Sequence, residues 1–120
     1  MLILPIKRKW FDMIRSGEKK EEYREIKPYW ASRFFKTQMS WGVGLEYFLN
    51  NKDVEQYGYI KLRNGYRKDS PSITCYCHIH RGQGKEEWGA EPNKEYYILE
   101  ILKIVRVENN DNWFFHRKRG

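Results

Sequence analysis

The apolar positions of this chain come in short groups whose spacing changes along its length. Leu2, Ile3, Leu4 and Ile6 form a tight apolar run broken by Pro5, which predicts a short buried first strand over residues 2–6. In the KRKWFDMIRSGE that follows, Trp10, Met13 and Ile14 recur at helical spacing with Phe11 at their margin, while Lys9, Asp12 and Arg15 lie elsewhere around the turn. Gly17 is placed to cap that helix at its C-terminus.

The helical stripe then stops. GEKKEEYRE, residues 17–25, holds seven charged side chains in nine positions. A helix continued through it would bury Gly17 in its interior and set Glu18 against Glu22 and Lys20 against Arg24, like charges one turn apart. A strand over 19–26 is preferred, because Tyr23 and Ile26 suit one and Pro28 biases Lys27 towards an extended backbone. Alternation then groups Lys20, Glu22, Arg24 and Ile26 against Lys19, Glu21, Tyr23 and Glu25. Neither set is apolar. The segment is either an edge strand whose charges discourage sheet-to-sheet pairing, or the polar lining of a cleft in which the charges pair with one another. In the cleft reading Glu22 and Arg24 are the natural pair, with Lys19 at the mouth of the strand.

After Pro28, Trp30 and Phe34 lie one helical turn apart with Phe35 beside them, so YWASRFFKT predicts a second helix with Pro28 near its first turn. Residues 39–53 carry Trp41, Leu45, Tyr47, Phe48 and Leu49 but also Gly42 and Gly44, a pattern that fits a helix or an ordered loop. Three strand-like segments follow at 58–63, 72–80 and 96–107, separated by NGYRKDSP and by the Gly-rich RGQGKEEWGAEPNKE. Most strands do not alternate with helices, which places the chain in the α+β class: a small curled mixed sheet or β-barrel with flanking helices. The final YYILEILKIVRV is long enough to bend and serve two neighbours.

Composition narrows this further. A chain of 120 residues has room for one core, expected over 1–115 with 116–120 as a basic tail. Hydrophobic residues at 40% and aromatics at 17% supply enough buriable area to fold, even with 32% charged residues. No run approaches the roughly 20 apolar residues that cross a bilayer, and MLILPIKRK places its charge after its apolar part, unlike a signal peptide. Cys75 and Cys77 lie too close together to staple distant segments. A cytoplasmic protein with no membrane partner is expected.

The net charge of +7 is concentrated at Lys7–Lys9, at Arg117–Arg119 and in KLRNGYRKD. Clustered cations beside aromatic rings are the footprint of a nucleic-acid binder, through phosphate contacts and base stacking. Lys61, Arg63 and Tyr66, around the Asn64-Gly65 turn, are candidate ligand-binding residues on that ground. CYCHIH raises the question of zinc. On a strand Cys75 and Cys77 project to one side and His78 and His80 to the other, so the four do not converge on one ion, and neither a metal nor another cofactor is expected.

LPIKRKWFDMIRSGEKKEEYRE resembles the start of the ASCH family, relatives of the PUA fold, whose members carry a strand, an amphipathic helix and a Gly-x-Lys-x-x-Glu-x-Arg signature. Gly17, Lys19, Glu22 and Arg24 meet that signature, and FLNNKDVEQYGYIKLRNGY and EYYILEILKIVRV are also similar to parts of the family. The resemblance implies a barrel-like sheet with flanking helices, and a cleft suited to RNA or a nucleoside-like small molecule, lined by Lys19, Glu22 and Arg24. The family includes amidohydrolases of acetylated cytidine that use a lysine, a threonine and a glutamate. Lys19 matches the lysine, Glu22 stands where the threonine would be, and Glu100 is a candidate for the glutamate. Some members are linked to RNA cleavage, for which Lys19 and Glu22 are the candidate catalytic residues. An RNA- or nucleotide-binding module is therefore the leading expectation, a small hydrolase in the same cleft the second, and a protein-interaction module the third.

Overall fold

A computed structural model describes residues 1–35 and 45–109. Among these described residues five strands form one sheet: β1 (Leu2–Pro5), β2 (Glu21–Arg24), β3 (Gln56–Arg63), β4 (Ser72–Gln83) and β5 (Glu95–Glu108), in the spatial order β1-β3-β4-β5-β2. The pairing of β1 with β3 is parallel and the other three pairings are antiparallel, so the sheet is mixed. The described helices are α1 (Arg8–Ser16), α2 (Pro28–Phe34) and α3 (Leu45–Asn50), with a 3₁₀ turn at Glu86–Trp88. The expected α+β class with a curled mixed sheet is what the chain forms. The basic tail at 116–120, and the part of the expected helix or loop that precedes Leu45, lie outside the described residues.

Local signals explain most of these elements. Gly17 adopts a left-handed φ of 88° and its N–H bonds to the carbonyl of Ile14, which ends α1 where a residue with a Cβ would be strained. Pro28 opens α2, where its missing N–H and fixed φ carry no cost. The buried centre of α1 is Phe11 with Ile14, while Trp10 and Met13 sit at its margin. That rotates the expected stripe by about one position and leaves Trp10 beside β2.

The main core lies between the helices and one face of the sheet. Ile60 and Leu62 of β3, and Ile73, Cys75, Cys77 and Ile79 of β4, supply the sheet side; Phe11, Phe34, Phe35 and Phe48 supply the helix side. Tyr97 is fully buried among these rings and its hydroxyl donates to the carbonyl of Phe48 at 2.6 Å, which pins α3 to β5. A smaller cluster of Tyr23, Ala90, Tyr96 and Ile98, with Trp88 against it, packs under the 84–94 connection.

β5 pairs with β4 along its length and with β2 through Tyr97–Glu100, the dual role expected of its length. Register shifts between Thr74 and Cys75 and between Tyr76 and Cys77 mark where the β4–β5 ladder is irregular. The sheet curls enough for one side chain to reach between its edge strands, which do not pair with each other: Arg24 in β2 donates from Nη2 to the carbonyl of Pro5 in β1 at 3.2 Å. The result is a half-barrel.

Candidate functional site

β2 is an edge strand, yet both of its faces are covered. Glu22 pairs across the ladder with Leu99 and Tyr23 with Ile98, and both Glu22 and Tyr23 are buried. Of the charges of GEKKEEYRE, Lys19 and Glu22 are therefore not part of a solvated edge, while Glu18 and Lys20 are exposed. Because regular strand begins only at Glu21, Lys19 is free of the alternation that would aim it away from Glu22. The turn after Gly17 carries it inward, with its own N–H on the carbonyl of Met13 at 2.9 Å.

Lys19 is 2% exposed and Glu22 6%, so this ion pair is a desolvated one. Lys19 Nζ lies 3.1 Å from Glu22 Oε1, and Arg24 Nη1 lies 2.7 Å from Glu22 Oε2, so each carboxylate oxygen holds one cation. The same Nη1 also donates to the carbonyl of Tyr23 at 2.8 Å. Lys19 donates further to the carbonyl of Trp88, and its ammonium faces the rings of Trp10 at 4.6 Å and Tyr23 at 5.0 Å. Burial pushes the Lys19 ammonium below its ordinary pKa, against the opposing pull of Glu22.

A cavity of about 280 Å³ opens beside this group. Trp10 and Lys7 border it from α1 and the residue before it, Glu22 and Arg24 from β2, and Trp88 with Gly89 from the 3₁₀ turn. Tyr23, Tyr96 and Pro5 complete the wall. Lys19 lies behind the rings of Trp10 and Tyr23 rather than on the wall itself, so it holds Glu22 in place instead of facing the opening. Arg24 stacks over Trp30 at 5.2 Å, which fixes its guanidinium from the helix side.

Hydrogen bonds and close packing secure the 84–94 connection that brings Trp88 here. The Tyr23 hydroxyl donates to Glu21 Oε1 at 2.8 Å and accepts the N–H of Lys85 at 2.9 Å, and burial pushes its pKa well up. Gly89 has a left-handed φ of 102°, and a Cβ there would sit 3.0 Å from Cζ2 of Trp10. The turn thus closes directly on the Trp10 ring.

The structure brings Lys19, Glu22 and Arg24 together, and leaves Lys61, Arg63 and Tyr66 off the wall of this cavity. Lys61 lies on the other face of the sheet, 3.4 Å from Glu108. Arg63 donates from Nε to the carbonyl of Gly65 at 3.3 Å, and Tyr66 is 84% exposed in the following turn. Glu100 also lies away from the cavity: it pairs across the ladder with Glu21 and His78, on the face opposite the main core. Trp10 and Tyr96 are wall residues that sequence reasoning did not place at a site, whereas Trp88 reads from the sequence as a core or cleft-lid residue and does border the cavity. Its isolation in the polar stretch KEEWGAEP is the signal.

Comparison with family models, with curated proteins and with solved structures finds no match to this chain. No helix among the described residues is long and apolar enough to cross a membrane.

Proposed function

We propose that this chain is an ASCH-type module of PUA-like fold that binds RNA or a nucleotide-like ligand in the cavity beside β2. The observation that carries the reading is the wall itself: Trp10 and Trp88 border the cavity together with a part-buried Glu22–Arg24 pair. Aromatic faces stack on a base, and a fixed carboxylate and guanidinium offer its edge an acceptor and a donor set. A cavity of about 280 Å³ suits one base or nucleoside rather than a larger ligand. Lys7 at its rim supplies positive charge for a phosphate.

Titration of the purified protein with a panel of nucleosides and short single-stranded RNAs, at low and high salt, tests this. Saturable binding that weakens with salt for RNA and is lost in Arg24→Ala is expected; no binding at low salt, or binding unchanged by Arg24→Ala, overturns it.

One observation favours a second reading. Glu22 borders the cavity with the buried Lys19 ammonium 3.1 Å behind it, and a carboxylate held in this way by a lysine of lowered pKa supports a hydrolase acting on a modified nucleoside or on RNA, with Glu22 facing the substrate and Lys19 positioning it. Product analysis of the same mixtures separates the two: turnover that disappears in Lys19→Ala or Glu22→Gln with the fold intact identifies an enzyme.

A further inference from the structure

The face of the sheet opposite the main core carries a second group of chemically competent side chains, away from the cavity beside β2. His78 and His80 lie two apart on β4 and so project to the same side, and Glu100 of β5 is the cross-strand partner of His78. Glu100 Oε1 lies 3.3 Å from His78 Nδ1 and 3.5 Å from His80 Nε2. The three donor atoms all fall within 4.8 Å of one another. Bonds of about 2.0–2.2 Å to a tetrahedral ion separate its ligand atoms by roughly 3.3–3.5 Å, so both His–Glu edges already have the length that chelation requires. Rotation of the imidazoles within their side-chain wells adjusts the remaining His–His edge.

The other nitrogen of each ring is also provided for. His78 Nε2 lies 3.1 Å from Glu55 Oε2, and His80 Nδ1 lies 3.4 Å from the carbonyl of Arg81. With those nitrogens as N–H donors, His78 Nδ1 and His80 Nε2 keep their lone pairs and both turn them towards Glu100. A metal-bound histidine typically shows this arrangement, with its second N–H held by a carboxylate or a backbone carbonyl. Tyr57 stacks on His78 at 4.4 Å and the two histidine rings stack at 4.6 Å, which restrains the orientation of the imidazoles.

We propose that His78, His80 and Glu100 form a binding site for a divalent first-row transition ion of the Zn²⁺ or Co²⁺ type. Two imidazoles and one carboxylate suit such borderline ions, whereas Mg²⁺ and Ca²⁺ require oxygen donors. Three protein ligands leave at least one coordination position for water or a ligand donor. The sequence expectation of no metal weighed only the convergence of the CYCHIH side chains; the third ligand comes from the neighbouring strand. Cys75 and Cys77 take no part, since both are buried in the core on the opposite face of β4.

Titration of the full chain with Co²⁺ and Zn²⁺, followed by visible absorption and calorimetry, tests the site. One equivalent of Co²⁺ should bind with d–d bands and without a thiolate charge-transfer band, Zn²⁺ should displace it, and Zn²⁺ should raise Tm. Glu55→Gln should lower affinity about tenfold, His78→Gln and Glu100→Gln should abolish saturable binding with the far-UV spectrum unchanged, and His116→Ala should leave binding as it was. No binding by the wild type, thiolate bands, equal affinity in His78→Gln and Glu100→Gln, or loss in His116→Ala each overturns the proposal. The first of those outcomes would leave His78 as an ordinary hydrogen-bonded bridge between Glu55 and Glu100.

Discussion

Arg24 Nη2 donates to the carbonyl of Pro5 at 3.2 Å, and through that bond β2, one edge of the five-stranded sheet, is tied to β1, the other. The same guanidinium grips Glu22 at 2.7 Å, so one side chain both links the two edge strands and holds a wall residue of the candidate cleft.

Arg24→Ala should therefore cost about 2 kcal/mol, read as a lowered urea midpoint, because it removes charge-assisted hydrogen bonds from a largely buried carboxylate. Glu22 retains Lys19 at 3.1 Å, which keeps the loss below that of a fully orphaned charge. Arg24→Lys should recover only part of the loss, since an ammonium cannot span Glu22, the Tyr23 carbonyl and the Pro5 carbonyl together. Equal stability of Arg24→Ala and the wild type would show that the tie between the edge strands adds nothing to stability.

Lys19 and Glu22 should be strongly non-additive. Lys19→Met leaves Glu22 with only Arg24 and strips the Trp88 carbonyl of its donor, while Glu22→Gln leaves a buried ammonium without its carboxylate. Each single change should destabilise by roughly 2–4 kcal/mol, and the double variant by less than the sum, with a coupling of about 1–3 kcal/mol. A denaturation cycle over the four proteins measures this, and additivity within about 0.5 kcal/mol would mean the pair has no energetic link.

Which of these relationships a reader of the sequence could anticipate depends on range. Gly17 as a C-terminal cap, Pro28 at the start of α2 and the long β5 are local matters of backbone freedom and periodicity, and they form as expected. Alternation also predicts that Cys75 and Cys77 share one face of β4 and His78 and His80 the other. The centre of the α1 stripe is displaced because Ile14 lies between Trp10 and Phe11 around the helix, so an apolar stripe can be centred on either side of it, and only the position of the sheet decides between them. The contact of Lys19 with Glu22 was hidden because β2 starts two residues later than a strand read from Lys19 would. Trp88 and Glu100 reach their neighbours through long-range packing and strand register, which hydrophobic spacing does not encode.

Alkaline stability should report on Tyr23. Its pKa is raised by burial, so above the ordinary tyrosine value near 10 the unfolded chain gives up a proton that the folded chain retains. Tyr23 thus contributes stability below about pH 10 that is lost as pH rises further towards its folded value. Lys19 acts in the opposite sense: its folded pKa is lowered, so the cost of burying its charge is relieved as pH climbs through that lowered value towards about 10.4. Tyr23→Phe should cost about 1 kcal/mol at neutral pH, for the bonds to Glu21 and Lys85, yet show a shallower decline of the urea midpoint between about pH 9 and 11. Lys19→Met should show a steeper one. Parallel profiles for all three proteins would remove both residues from the alkaline response.

Gly89 offers a way to disturb the cavity wall without touching a charge. Its φ of 102° is a conformation that side chains with a Cβ rarely adopt, and the added methyl would meet Trp10 Cζ2 at 3.0 Å. Gly89→Ala should therefore cost about 1–2 kcal/mol, through backbone strain together with displacement of Trp10 or of the turn that carries Trp88. Because Trp10 and Trp88 both border the cavity, the change should alter tryptophan emission and weaken nucleoside binding, while the Lys19–Glu22–Arg24 group persists. Gly17→Ala is the matched control. It too has a left-handed φ, of 88°, but an added Cβ meets nothing within 4 Å, so it should lose the strain part of that stability alone, with binding retained. Equal loss of binding in the two variants would separate the Trp10–Trp88 wall from ligand recognition and trace the effect to stability alone.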